Sequence, residues 1–356
     1  MRKLPISELI PGMITADDVY NYSNQIILPK GMVLTDLSIT RLEFYSIISV
    51  KIEDDSVDVA PNFLEDLSYR EKIMTSPAFH QFKQNFENTV DTFSETLSDI
   101  VIKNDESGFD HIWQMFEAMS NNVSSLFIFD ALQNLRNYDD VTFAHCLNVG
   151  LLCNLFAQWL NFSIEDQKIA VMSGLLHDIG KTAIQEDIIK KPSKLTDDEY
   201  AAVQTHPLEG FRILRNFNID KHIKNAALMH HEKCDGSGYP QGLKADDIDP
   251  FAKIVAIADV YDAMTSARIY RGPLCPFHVI EIFEQEGLQK YDPNYIITFL
   301  KNVVNTYIQN RVLLNDGREG EIVMINPQQF SHPIIKCGND YLDLSKRPDL
   351  YIKYII

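Results

Sequence analysis

Ser163-Ile-Glu-Asp-Gln-Lys-Ile-Ala-Val-Met-Ser-Gly-Leu-Leu-His-Asp-Ile-Gly-Lys181 is the stretch from which the fold is read. Ser163 with Asp166 three residues on is a capping-box pattern, and it predicts a helix that ends near Gly180. That helix closes on His177-Asp178, directly after the apolar Gly174-Leu-Leu176. An imidazole beside a carboxylate in apolar surroundings is costly without a compensating partner. A divalent cation is one such partner, and this donor pair suits zinc, iron or manganese better than calcium or magnesium.

Reading outward, helix-start signals recur. Asp139 and Asp140 precede an apolar helix through Leu160, and Thr196 with Glu199 opens one that ends at His206. Pro207 fits the first turn of the next. Asp220 opens a helix that ends at His230-His231, Asp249-Pro250 one through Met264, and Asp292-Pro293 one through Val304. Residues 126–305 are therefore expected to form a helical bundle. Residues 1–60 read as a small mixed α/β module. It has a hairpin at Pro29-Lys30-Gly31, a short helix capped by Thr35 or Asp36 and running through Tyr45, a strand over 50–52, and an acidic boundary ending at Pro61. Residues 61–125 read as a helical linker or packing region. Phe79, Phe82, Phe86 and Phe93 form a helical stripe there, which reads as a packing face and leaves a homodimer open. Residues 306–356 read as a small β appendage, with strand candidates at 312–314, 321–325, 334–336 and 341–344. The fold class is mainly α.

The 356 residues carry a formal net charge of −18, with 45% hydrophobic and 23% charged residues. That composition excludes a mostly disordered chain. No segment is strongly basic, which argues against nucleic acid as a partner. An anionic substrate must then be met by a local cationic cluster. There is no apolar run of 18 residues, so no membrane span is expected, and the first residues lack the apolar core of a signal peptide. The five cysteines form no CxxC pair and read as reduced thiols, which points to the cytoplasm.

Among the ten histidines, His80, His111, His278 and His332 have ordinary surroundings, and His222 sits at a helix start. His145, His177, His206, His230 and His231 lie in or at the ends of bundle helices. His145, taken alone, reads more readily as a core residue. Adjacent helical residues point about 100° apart, so His230 and His231 straddle an elongated site. Two metals about 3.5–4 Å apart offer that shape. Asp259 and Asp262 share one helix face. They read either as a ligand and a group orienting a neighbour or as a solvated acidic face, and the apolar Ile254, Val255, Ala258 and Ala263 favour the first. The loop from Glu232 to Pro240 holds Gly236, Gly238 and Tyr239; the tyrosine suits stacking on a planar ligand and plain loop packing equally. Arg268 and Arg271 suit phosphate oxygens, and Lys181 can face the His-Asp pair.

Together these motifs resemble the HD-GYP family, the cyclic-di-GMP phosphodiesterase branch of the HD hydrolases. The matching pieces are His145, His177-Asp178-Ile-Gly-Lys181, His206-Pro-Leu-Glu-Gly210, His230-His231-Glu232 with Asp235-Gly-Ser-Gly-Tyr-Pro240, and Asp259-Val-Tyr-Asp262 with Arg268 and Arg271. The resemblance covers residues 126–305. It implies two divalent transition-metal ions, iron or manganese by preference. One would be held by His145, His177, Asp178 and Asp259. Asp178 would bridge to the other, held by His206, His230 and His231. Some members use a glutamate four residues before the first histidine for a third metal; Val141 stands there, so two are expected. The implied reaction is hydrolysis of cyclic-di-GMP to pGpG, with further cleavage to GMP left open, by a hydroxide bridging the metals. Lys181 would stabilise developing charge, and Asp262 would orient Lys181 or accept a proton. Arg268 and Arg271 would hold phosphates, with Gly238, Tyr239 and Pro240 shaping the guanine pocket. A cyclic-di-GMP receptor with little turnover, an HD hydrolase acting on another cyclic dinucleotide or nucleotide, and a metal-stabilised structural protein are the rival readings. Residues 1–60 resemble a module found ahead of such domains.

Overall fold

The computed structural model describes residues 2–5, 9–10, 12–20, 26–28, 30–34, 38–39, 42, 47, 49–53, 69–120, 123–135, 141–191, 193–266 and 274–356. Pro29, Thr35, Asp36, Tyr45, Pro61, Asp139, Asp140, Arg268 and Arg271 lie outside the described residues. The chain divides into two compact units, Met1–His80 and Gln81–Ile356.

In the first unit, β1 (Arg2–Pro5) pairs antiparallel with β4 (Ser49–Ile52), and β2 (Val19–Tyr20) with β3 (Ile26–Leu28). Leu9, Leu28, Leu34, Leu42, Val50 and Ile52 form its buried core. A short helix, α1 (Tyr69–Met74), follows.

The second unit is helical with a terminal sheet. Its first helix, α2 (Pro77–Lys103), begins just before the boundary; α3 (Ser107–Ser120), α4 (Ser125–Asn134) and α5 (Val141–Trp159) follow. Phe82, Phe86 and Phe93 are buried. Phe82 meets Phe127 of α4 edge-on and Phe93 meets Phe143 of α5 likewise. The phenylalanine stripe is thus used inside the chain, and the homodimer expectation loses the face it rested on.

α6 (Ile164–Leu176) is capped by Ser163, whose hydroxyl accepts from the Asp166 amide. It crosses α5 at two glycines: a Cβ built on Gly174 would lie 3.0 Å from the Gly150 Cα, so only glycines permit this approach. α6 stops four residues short of Gly180. A 3₁₀ turn over Ile179–Ala183 replaces the last part. Then come α7 (Glu186–Ile189), α8 (Asp197–Val203), α9 (His206–Leu214), α10 (Lys221–Met229) and α11 (Pro250–Thr265). Thr196 and Glu199 make a full reciprocal capping box, and Asp220 and Asp249 cap α10 and α11. α8 ends at Val203 rather than at His206, which instead opens α9 with Pro207 in its first turn.

α12 (Pro276–Ile282), a π turn (Phe283–Gly287), α13 (Leu288–Lys290) and α14 (Pro293–Asn305) complete the helices. Five strands, β5 (Arg311–Leu314), β6 (Glu319–Met324), β7 (Ile334–Cys337), β8 (Asp340–Asp343) and β9 (Ile352–Ile355), form an antiparallel sheet in the order β8-β7-β6-β5-β9. The sequence reading anticipated the first four and not β9, which turns back to pair with β5. Glu284, in the π turn, accepts the amides of Phe330 and Ser331 and so ties the sheet to the helices. Among the described residues, no helix is long and apolar enough to cross a membrane.

Candidate metal centre

α5, α6, α9, α10 and α11 bring His145, His177, Asp178, His206, His230, His231 and Asp259 to one place. Asp178, just beyond the last turn of α6, lies at its middle. One carboxylate oxygen is 3.3 Å from His206 Nε2 and 3.9 Å from His230 Nε2; the other is 3.3 Å from His177 Nε2 and 3.9 Å from His145 Nε2. Asp259 is 3.1 Å from His145 Nε2 and 4.0 Å from His231 Nδ1. Three overlapping triplets have donor atoms within 4.8 Å of one another: His145, His177 and Asp259; His177, Asp178 and His230; His206, His230 and His231. All are buried except His231, which is partly exposed.

Local structure sets the approach of these groups. A Cβ on Gly180 would stand 2.0 Å from the His206 carbonyl oxygen and 2.4 Å from the Gly210 amide nitrogen. Gly180 therefore lets the turn after Asp178 press against the start of α9, and so brings His206 to Asp178.

The tautomers follow from the partners. His177 Nδ1 donates to the Gly174 carbonyl at 2.7 Å, His206 Nδ1 to Val203 at 2.7 Å, and His230 Nδ1 to Ala226 and Ala227 at 3.1 Å each. A carbonyl only accepts, so each neutral ring presents its Nε2 lone pair to the centre. His206 Nε2 and His230 Nε2 then face each other at 3.1 Å with no proton to share. His177 Nε2 and one Asp178 oxygen are buried with no hydrogen-bond partner. Buried lone pairs crowded together are unfavourable unless a cation takes them up. The donor set fits divalent metal ions on this structure's own showing.

The electrostatics agree. Burial pushes the imidazoles of His206 and His230 down, and that of His231 to about 3, which keeps them neutral and able to ligate. Burial would raise Asp178 and Asp259, but Lys181 and the histidines around the first, and His145 and its neighbours around the second, hold both well below the usual carboxylate range. Burial lowers His145 too, yet its bonds to Asp259 and Asp262 outweigh that and lift it to about 9.

Among the described residues Asp262 meets His145 rather than Lys181. It accepts from His145 Nδ1 at 2.7 Å, Asn148 at 3.1 Å and Ser266 at 3.1 Å, so it fixes the His145 ring. Lys181 donates to Asp178 at 2.5 Å. Asn148 and Ser266 went unremarked in the sequence; Asn148 follows His145 by three residues and shares its helix face.

The loop after His231 is laid against its own start. A Cβ on Gly238 would come within 2.4–2.5 Å of backbone atoms of His231, Glu232 and Lys233, so this glycine has a folding reason as well as the ligand role expected of it. Tyr239 stacks on His231, with ring centroids 4.6 Å apart and planes at 26°. It precedes Pro240 through a cis bond.

The fold and donor set define a class: residues 123–295 match the HD domain family. A cyclic di-GMP phosphodiesterase of Pseudomonas aeruginosa is 34% identical over 208 residues, which is 58% of this chain and 50% of that protein. A 3′3′-cGAMP-specific phosphodiesterase of Vibrio cholerae is 41% identical over 145 residues, which is 41% of this chain and 34% of that protein. The solved structure of Bd1817, an HDG"Y"P protein from Bdellovibrio bacteriovorus, overlays at a TM-score of 0.49 with 17% identity, covering 84% of this chain and 97% of that one. Over residues 123–295 the chain thus matches the HD domain and is similar to proteins named cyclic-dinucleotide phosphodiesterases. It spans half the length of the first of these relatives and about a third of the second.

Proposed function

We propose that the chain is a metal-dependent phosphodiesterase that hydrolyses cyclic-di-GMP to pGpG, with residues 126–305 as its catalytic part. The observation that carries this reading is the set of buried, unshared lone pairs around Asp178, in a domain whose relatives are named cyclic-dinucleotide phosphodiesterases. His145, His177, Asp178 and Asp259 would hold one divalent ion, and Asp178, His206, His230 and His231 a second, with iron or manganese preferred for this mixed donor set. When bound, such ions supply a nucleophile at neutral pH and positive charge for phosphoryl oxygens.

The chain's own groups do the rest. Asp262 holds His145 in the tautomer that aims Nε2 inward. Lys181 places an ammonium beside Asp178, where it can meet charge developing on a phosphoryl or leaving oxygen. Arg268 and Arg271 supply the remaining cationic contacts for a dianionic substrate. Tyr239 and Pro240 border the guanine site. A cytoplasmic location fits this reading and the five free thiols.

The test is anaerobic turnover of cyclic-di-GMP with Mn²⁺ or Fe²⁺, read by chromatography. Formation of pGpG is expected, and no turnover in a metal-replete sample overturns the reading. One observation favours a second substrate: the 41% identity to a 3′3′-cGAMP-specific enzyme. The same assay with 3′3′-cGAMP separates the two by kcat/KM.

A further inference from the structure

We infer that Tyr239 and Glu232 are positioning residues for His231, an inference that rests on the metal-centre reading above. Four of the five imidazoles are fixed by an Nδ1 hydrogen bond: His145 to Asp262, His177 to Gly174, His206 to Val203, and His230 to Ala226 and Ala227. His231 has no such bond among the described residues. Its nearest carboxylate oxygen, on Asp259, is 4.0 Å from Nδ1, and its side chain is 23% exposed. The group that faces its ring is Tyr239, stacked at 4.6 Å and 26°.

Tyr239 is in turn held by a closed loop. Its amide donates to the His231 carbonyl at 3.3 Å. Glu232, only 2% exposed, takes the Gln241 amide on one oxygen at 2.7 Å and the Leu243 amide on the other at 2.9 Å. Lys233 reaches the Tyr291 hydroxyl at 3.2 Å. The buried Glu232 carboxylate thus draws the far limb of the loop back to its root and presses Tyr239 onto His231. A ligand that lacks a hydrogen-bonded anchor depends on such support for its aim.

The experiment is Mn²⁺ affinity of the full chain, measured by competition with a chelator dye, with thermal melting as the check on folding. Tyr239→Phe keeps the ring and is expected to bind Mn²⁺ like the parent. Tyr239→Leu and Glu232→Gln are expected to bind roughly 10- to 100-fold more weakly. Unchanged affinity in Tyr239→Leu at the parent melting temperature overturns the inference, as does equal weakening in Tyr239→Phe. Should Tyr239→Leu fail to fold, Glu232→Gln decides, and unchanged affinity there overturns it. A parent protein that takes up no Mn²⁺ overturns this inference and the proposed function together. One that binds Mn²⁺ with the expected variant pattern but turns over no cyclic dinucleotide overturns only the proposed substrate.

Discussion

Asp178 meets four imidazoles and Lys181, and the two side chains that support the centre, Lys181 and Asp262, do different work. Lys181 bonds Asp178, whereas Asp262 bonds His145. Lys181→Ala is therefore expected to retain metal and to lose roughly 10²–10³-fold in turnover, as when a charge-stabilising donor is removed. Asp262→Ala is expected to lose metal affinity by roughly 10- to 100-fold, because it frees the ring of a ligand. Metal analysis alongside turnover separates the two; full turnover in Lys181→Ala rules out its role. The residues that gather around Asp178 were legible in the sequence as histidines and aspartates in apolar helices, and the family resemblance joined them, His145 included, into one set. The partner of Asp262 was not. Spacing from Asp259 gives a shared face, but only the packing of α5 against α11 shows that the face meets His145. Asn148 was silent for a similar reason, since one amide in an apolar helix has many possible roles.

Helix starts were the most readable elements, because a cap is a local device: Thr196, Asp220, Asp249 and Asp292 each accept an amide from the first turn of the helix they precede. Helix ends were less so. α6 stops at Leu176, and the chain after it is shaped by the contact of Gly180 with the start of α9 at His206, 26 residues beyond that glycine, which periodicity cannot display. β9 was missed because its partner, β5, lies about forty residues earlier across three other strands. The Gly180 contact carries a prediction at this scale. In Gly180→Ala the added methyl would meet the His206 carbonyl, so the turn and α9 must part. Overpacking of that kind costs about 1–3 kcal/mol. A lower urea midpoint with an unchanged slope is expected, together with weaker metal binding; an unchanged midpoint shows that the contact yields freely.

For the molecule as a whole, the centre makes stability depend on pH in chelator-treated protein. His206, His230 and His231 have folded-state pKa values below the ordinary 6.5, the last at about 3. Between those limits the unfolded chain binds more protons than the folded one, so stability falls as pH drops below about 6.5. His145 has the opposite sign: raised to about 9, it contributes fully below 6.5 and its contribution fades as pH rises through 9. The melting temperature in EDTA is therefore expected to peak between about pH 6.5 and 8. His231→Gln should flatten the acid limb, and a flat limb in the parent between pH 6.5 and 4.5 contradicts the assignment. The bonds from His177, His206 and His230 to carbonyls of the preceding turn extend this coupling to the backbone. Each of those three rings is aimed by the turn it stands on, so fraying there swings a donor out of line. Amide protons of residues 226–230 should consequently exchange with deuterium more slowly once the centre is loaded, and release of the ions and opening of those turns should proceed as one event.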